Sequence, residues 1–123
     1  LMAQNIKETL AKLEELDGFI AAAIGHAESG MAMGTLGGSD EFDPEIAAAV
    51  NSDVIKAKLR GMDALMLSGR LEDVLITLDS QYHLIRLYKK NPMVFIYLAL
   101  SRKNANLAMA RFKLETAEAS LEL

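Results

Sequence analysis

Few side chains in this sequence could do covalent or metal chemistry. Cysteine is absent and there are two histidines, His26 and His83. Neither has a second histidine, a thiolate or a carboxylate at metal-ligand spacing, so no metal and no cofactor are expected. Asp79, Ser80 and His83 are close along the chain, but a catalytic triad is defined by geometry and roles, and no nucleophile-elbow or oxyanion motif accompanies them. The stretch GTLGGSD (34–40) leads into a helix start, the place where a phosphate can bind. Its spacing fits neither the Walker pattern nor the dinucleotide fingerprint, and Asp40, Glu41, Asp43 and Glu45 would meet a phosphate with like charge. Glu14 and Glu15 are adjacent and point apart on a helix, which is no acid–base pair. Catalysis is not expected.

The remaining polar candidates are for recognition. Arg86 alternates with Tyr82, Leu84 and Tyr88 along a strand-like segment, as an ion-paired or snorkelling side chain would, or as a partner contact. Lys89 and Lys90 follow that segment, and Arg102 and Lys103 follow the next. The four are expected near one end of a sheet, with Arg86, Lys89 and Lys90 as candidate partner contacts.

These residues need a scaffold, and hydropathy patterning outlines one. Residues 2–16 carry Met2, Ile6, Leu10 and Leu13 on one helical face, and Asp17-Gly18 ends the pattern. Short apolar segments at 19–25 and 31–36 flank HAESG, a hairpin turn closing on Gly30. Three strands are expected at 71–79, 82–88 and 93–101. The last is apolar on both faces and therefore central. Asn104 is the expected cap of a final helix to 121, packing through Ala105, Ala108, Met109, Phe112 and Leu121. The order is α-β-β-α-β-β-β-α, an α+β fold with one five-stranded antiparallel sheet flanked by helices. No linker or repeat interrupts residues 1–123, so a single domain is expected.

Residues 43–68 form the most informative segment. Asp43 can cap a helix, Pro44 suits its first position, and Gly69 can end it in a left-handed turn. One apolar stripe holds Ile46, Ala47, Val50, Val54, Ala57, Gly61, Ala64 and Leu65. A second holds Ala48, Ile55, Leu59, Met62 and Met66. Together they span roughly 220° of the helix, twice what one core contact needs. Two packing partners are implied, one of them outside the chain's own sheet. Ala57, Gly61 and Ala64 favour the first stripe for close approach to a backbone.

Composition narrows the functional classes. The chain has 123 residues and a net charge of −4. Residues 1–55 hold ten acids and two bases, a balance of −8, whereas residues 56–123 hold seven acids and eleven bases, a balance of +4. This mild, interspersed charge is not a nucleic-acid surface. No apolar run reaches the roughly 18 residues of a membrane span, no signal peptide opens the chain, and the lack of cysteine suits the cytoplasm. Leu1 before Met2 points to Met2 as the native start.

Three strings, LDGFIAAAIGHAESGMAMGTL, LEDVLITLDSQYHLIRLY and VFIYLALSRKNANLAMARFKL, set in this element order, resemble the roadblock (dynein light chain) family over nearly the whole chain. The turn departs from the commoner family pattern in having Ser29, not an acid, directly before Gly30. The resemblance implies a homodimer in which the second helices pack together and the following strand pairs with its twofold mate. Ile55, Leu59, Met62, Met66, Leu71, Val74 and Ile76 would then form the interface. It also implies a non-catalytic regulator or scaffold working with a small Ras-like GTPase. A different class, a small-molecule sensor, would require an apolar cavity lined by Tyr82, Tyr97 or Phe95.

Overall fold

A computed structural model of the protein describes residues 4–123; Met2 lies outside them. The elements are α1 (Ile6–Glu14), β1 (Phe19–His26), β2 (Met31–Gly37), α2 (Pro44–Ala64), β3 (Asp73–Thr77), β4 (Gln81–Leu87), β5 (Val94–Ser101) and α3 (Leu107–Ser120). The strands form one antiparallel sheet in the order β2-β1-β5-β4-β3, with the doubly apolar β5 at its centre as expected.

The alanine-rich β1 would suit a helix by propensity, and its register with β5 shows why it is a strand. Ala23 lies opposite Tyr97 and Gly25 opposite Phe95, so small residues make room for large rings on the same face. A Cβ at Gly25 would stand 2.5 Å from the Phe95 ring.

The two faces of the sheet are covered unequally. On one, α1 and α3 bring Leu10, Leu13, Ala110, Leu114, Ala117 and Leu121 against Ala22, Ile24, Leu84, Ile96, Leu98 and Leu100. The Tyr88 hydroxyl donates to the Leu121 carbonyl at 2.8 Å, locking the end of α3 to β4. On the other face α2 is the only helix among the described residues, and it lies chiefly over β1 and β2. Ala48 and Ile55 fill the space above Ala23, Phe95, Tyr97 and Ala99.

Several boundaries differ from expectation. α2 begins as foreseen, with the Asp43 carboxylate accepting from Glu45 N–H at 2.8 Å. It stops at Ala64 rather than running to 68. Leu67 N–H bonds the Met62 carbonyl and Met66 N–H bonds the Asp63 carbonyl, a Schellman closure with Met66, not Gly69, in the left-handed region at φ 55°. α3 is capped by Asn106, whose Oδ1 accepts from Met109 N–H, because the amides of Asn104 and Ala105 are spent in a turn back to Ser101. Its core stripe is Ala110, Leu114 and Ala117, which leaves Met109 and Phe112 exposed. The basic residues do not gather at one sheet end. Gln81 pairs with Ser101 and Leu87 with Phe95, so antiparallel pairing puts Lys89 and Lys90 at one end and Arg102 and Lys103 at the other.

Candidate interaction surface

Helix α2 decides which of its stripes is free. Its inward side is made by Ala48, Asn51, Ser52 and Ile55. The two polar residues are tolerated there because each satisfies itself on its own helix: Asn51 Nδ2 donates to the Ala47 carbonyl at 2.7 Å and Ser52 Oγ to the Ala48 carbonyl at 2.8 Å. Ile55 is fully buried in the chain's own core and is removed from the expected interface. Leu59 is half-buried against the same cluster. Of the second stripe, Ala48, Ile55 and Leu59 therefore cover the sheet, whereas Met62 keeps partial and Met66 nearly full exposure.

The first stripe is divided: Ala47 and Val54 pack half-buried against the same cluster, and Ile46, Val50, Ala57, Ala64 and Leu65 face outward. Ile46 is 63% exposed and Val50 56%, followed by exposed Ala57, Ala64 and Leu65. Met62 is half-buried at the end of the helix, whereas Met66 is 90% exposed just beyond it. Across a groove from Ile46, Val50 and Val54 lies the edge strand β3, paired on one side only among the described residues, with Leu71, Val74 and Ile76 half-buried. Of the expected interface residues, Leu59, Met62, Met66, Leu71, Val74 and Ile76 keep some exposure. Ile46, Val50 and Leu65 of the first stripe, and Leu67, are exposed as well, although the residues named for the interface did not include them.

Between the first half of α2 and the β3–β4 side of the sheet runs a groove of about 490 Å³. Its walls are Phe42, Ile46, Val50, Val54 and Ile76; Asp40, Glu41 and Asp43 stand at its rim, and His83 and Tyr97 lie beneath. The His83 ring meets Tyr97 edge-on at 5.4 Å and Phe42 at 5.9 Å, and its Nε2 lies 2.7 Å from Gln81 Oε1. Burial lowers the His83 pKa, and burial raises that of Tyr97 well above the phenolic range. The Tyr97 hydroxyl is buried without a hydrogen-bond partner among the described residues. Tyr97 is the one residue of the expected ligand cavity (Tyr82, Tyr97, Phe95) that lines this groove.

Of the charged candidates, Arg86 is engaged within the chain. Arg86 Nε donates to Glu118 at 3.3 Å, and a second guanidinium nitrogen lies 3.8 Å from Asp73. Arg111 makes two hydrogen bonds to Asp73 at 3.0 and 2.9 Å, so α3 holds the start of the edge strand β3. Arg86 is thus an internal ion pair, the alternative its strand position allowed. Lys89 gives its backbone N–H to Glu118 and leaves its side chain exposed, as does Lys90. His26 sits at the hairpin turn near Ser29, apart from His83. Among the described residues no cluster of His, Asp or Glu could hold a metal ion, and no helix is long and apolar enough to cross a membrane.

This topology has solved counterparts. The roadblock/LC7 domain from Streptomyces avermitilis superposes with a TM-score of 0.80 over 96% of this chain and 94% of that one, at 12% identity. The chain has the roadblock fold. MglB from Myxococcus xanthus is similar at TM-score 0.78 and 9% identity, over 97% of this chain and 88% of its own. An MglB with a tetrameric arrangement gives 0.79 and 13%, over 94% and 84%. No family model matches the sequence, and no curated protein is detectably similar to it along the sequence.

Proposed function

We propose that this roadblock-fold protein is a non-catalytic, cytoplasmic regulator or scaffold that works as a homodimer and docks a small Ras-like GTPase. The observation that carries the dimer is the outward part of α2, Ile46, Val50, Ala57, Ala64 and Leu65, uncovered and separated by a groove from β3, whose outer edge is unpaired among the described residues. Burying each large apolar side chain of such a stripe is worth about 1.5–3 kcal/mol, and a second copy offers the same surface by symmetry. The revised interface comprises Ile46, Val50, Leu65 and Met66 of α2 and its closure, with Leu71, Val74 and Ile76 around β3. Leu59 and Met62 lie at its margin. The likeness to MglB supports the regulatory reading, and the GTPase follows from the family resemblance.

Such a protein would act by positioning the GTPase's own groups. Arg86 and Arg111 are committed to Asp73 and Glu118, so neither is free to reach a partner's phosphates. Lys89 and Lys90 offer exposed positive charge for an acidic partner surface. The test is to mix the purified protein with a small Ras-like GTPase encoded beside its gene, loaded with GDP or with a GTP analogue. Nucleotide-dependent complex formation in gel filtration with light scattering is expected. Failure to bind in either state would overturn the GTPase assignment.

A second reading, a small-molecule sensor, draws on the groove of about 490 Å³ and the unpartnered hydroxyl of Tyr97 beneath it.

A further inference from the structure

We propose that His26, Met31 and Met33, at the turn end of the β1–β2 hairpin, form a binding site for a soft monovalent cation of the Cu(I) class. The site stands on these residues alone and depends neither on the dimer nor on a GTPase partner.

Strand pairing puts the three donors on one face. His26 lies opposite Met31 on β2 and opposite Val94 on β5. Val94 belongs to the cluster under α1 and α3, so His26 and Met31 share that side of the sheet. Met33 is the extra residue where the β1–β2 register slips, with Ile24 opposite Gly34 and Gly25 opposite Ala32. It turns to the same side, lining the groove that α1 walls with Ile6 and Leu10. Directly opposed side chains start about 5 Å apart, and alternate ones on a strand about 7 Å apart. Methionine is unbranched and flexible, so both sulfurs can close on an ion held by the imidazole. Met93 is near along the backbone, its carbonyl accepting from Ala27 N–H, but its side chain packs on the opposite face with α2.

The core makes little use of these methionines. Met31 is 69% exposed and Met33 39%, and neither packs in a buried cluster. Ser29, the residue that departs from the commoner turn pattern, ties the donors together. Its hydroxyl oxygen accepts from Met31 N–H at 3.2 Å and stands 3.5 Å from His26 Nδ1. With Nδ1 turned to this hydroxyl, Nε2 is left to meet an ion. Residues 18–38 contain no lysine or arginine and one carboxylate, Glu28, while Lys7 and Glu14 beside Met33 carry opposite charges. A cation meets no net repulsion there. Two neutral thioethers and an imidazole are soft donors that suit Cu(I), whereas Mg(II) and Ca(II) require oxygen ligands.

The test adds Cu(I), in acetonitrile-containing buffer under argon, to protein carrying 13C-methyl methionine. Uptake of one ion per chain is expected, with the Met31 and Met33 methyl signals and the His26 ring signal moving together. Met31→Leu, Met33→Leu and His26→Gln should each raise the Cu(I) dissociation constant at least tenfold in calorimetry, with far-UV circular dichroism unchanged. Met66→Leu and Met109→Leu, at two other exposed methionines, should bind as the wild type does. Absence of Cu(I) uptake, or uptake that survives the Met31→Leu/Met33→Leu double variant, overturns the site. So does a His26→Gln variant that binds Cu(I) as tightly as the wild type.

Discussion

Replacing Arg86 by alanine tests whether this arginine serves the fold or a partner. In the structure Glu118 is 7% exposed and receives the Arg86 Nε–H at 3.3 Å; its other oxygen accepts only the Lys89 backbone N–H, also at 3.3 Å. Removing the guanidinium leaves a buried carboxylate with one weak donor and takes from Asp73 one of its two cationic neighbours. Breaking a buried pair from one side costs about 3–5 kcal/mol. The remaining donor and the partial exposure of Asp73 place this case near about 3 kcal/mol. For a chain of this size about 1 kcal/mol moves Tm by roughly 4 °C, so Arg86→Ala should melt roughly 12 °C lower. Circular-dichroism melts of the wild type, Arg86→Ala, Glu118→Leu and the double variant complete a thermodynamic cycle. The double variant should lose less than the sum of the two single variants, because no charge is left stranded. A loss in Arg86→Ala below about 1 kcal/mol would refute the argument and return Arg86 to the pool of partner contacts.

Other expectations separate the two sides of α2. Ile55→Ala should destabilise the chain by about 2–5 kcal/mol in urea unfolding, because it opens a cavity above the sheet. Val50→Asp should instead give a folded monomer in light scattering, since it puts charge on the outward stripe alone. In that Val50→Asp background, Met66→Gly should raise stability by about 0.5–1 kcal/mol in urea unfolding, because glycine adopts the left-handed conformation without steric cost. The lowered pKa of His83 means that the unfolded chain takes up a proton at a pH where the folded chain does not. Stability should therefore fall as pH drops below the unfolded-state value of about 6.5, with the loss levelling off below the folded-state value. Melting curves at pH 5 and 7.5 should show this loss in the wild type and a smaller one in His83→Gln.

The sheet was legible because its elements announce themselves: β5 is apolar on both faces, Gly30 closes the hairpin, and Asp43-Pro44 opens α2. The surface was harder to read, for reasons particular to the residues involved. Asn51 and Ser52 look like solvent-facing positions, yet both are buried by bonding back to their own helix. Their burial places Ala48 and Ile55 of the second stripe over the sheet, an orientation the pattern of apolar residues leaves open. Gly69 suggested a left-handed stop, but the hydrogen bonds of the last turn are completed earlier, at Met66. Arg86 was recognised as unusual; its partners, Asp73 and Glu118, come from distant segments that no local spacing could join to it. The groove over Tyr97 depends on α2 leaving the β3–β4 half of its face uncovered, which is a matter of helix placement rather than local pattern.

The central claim is that α2 covers the sheet with one stripe and a second copy with the other. Sedimentation equilibrium of the unmodified chain tests it most directly. A mass twice the 13.4 kDa of one chain is predicted in the micromolar range; a single-chain mass throughout that range would contradict it.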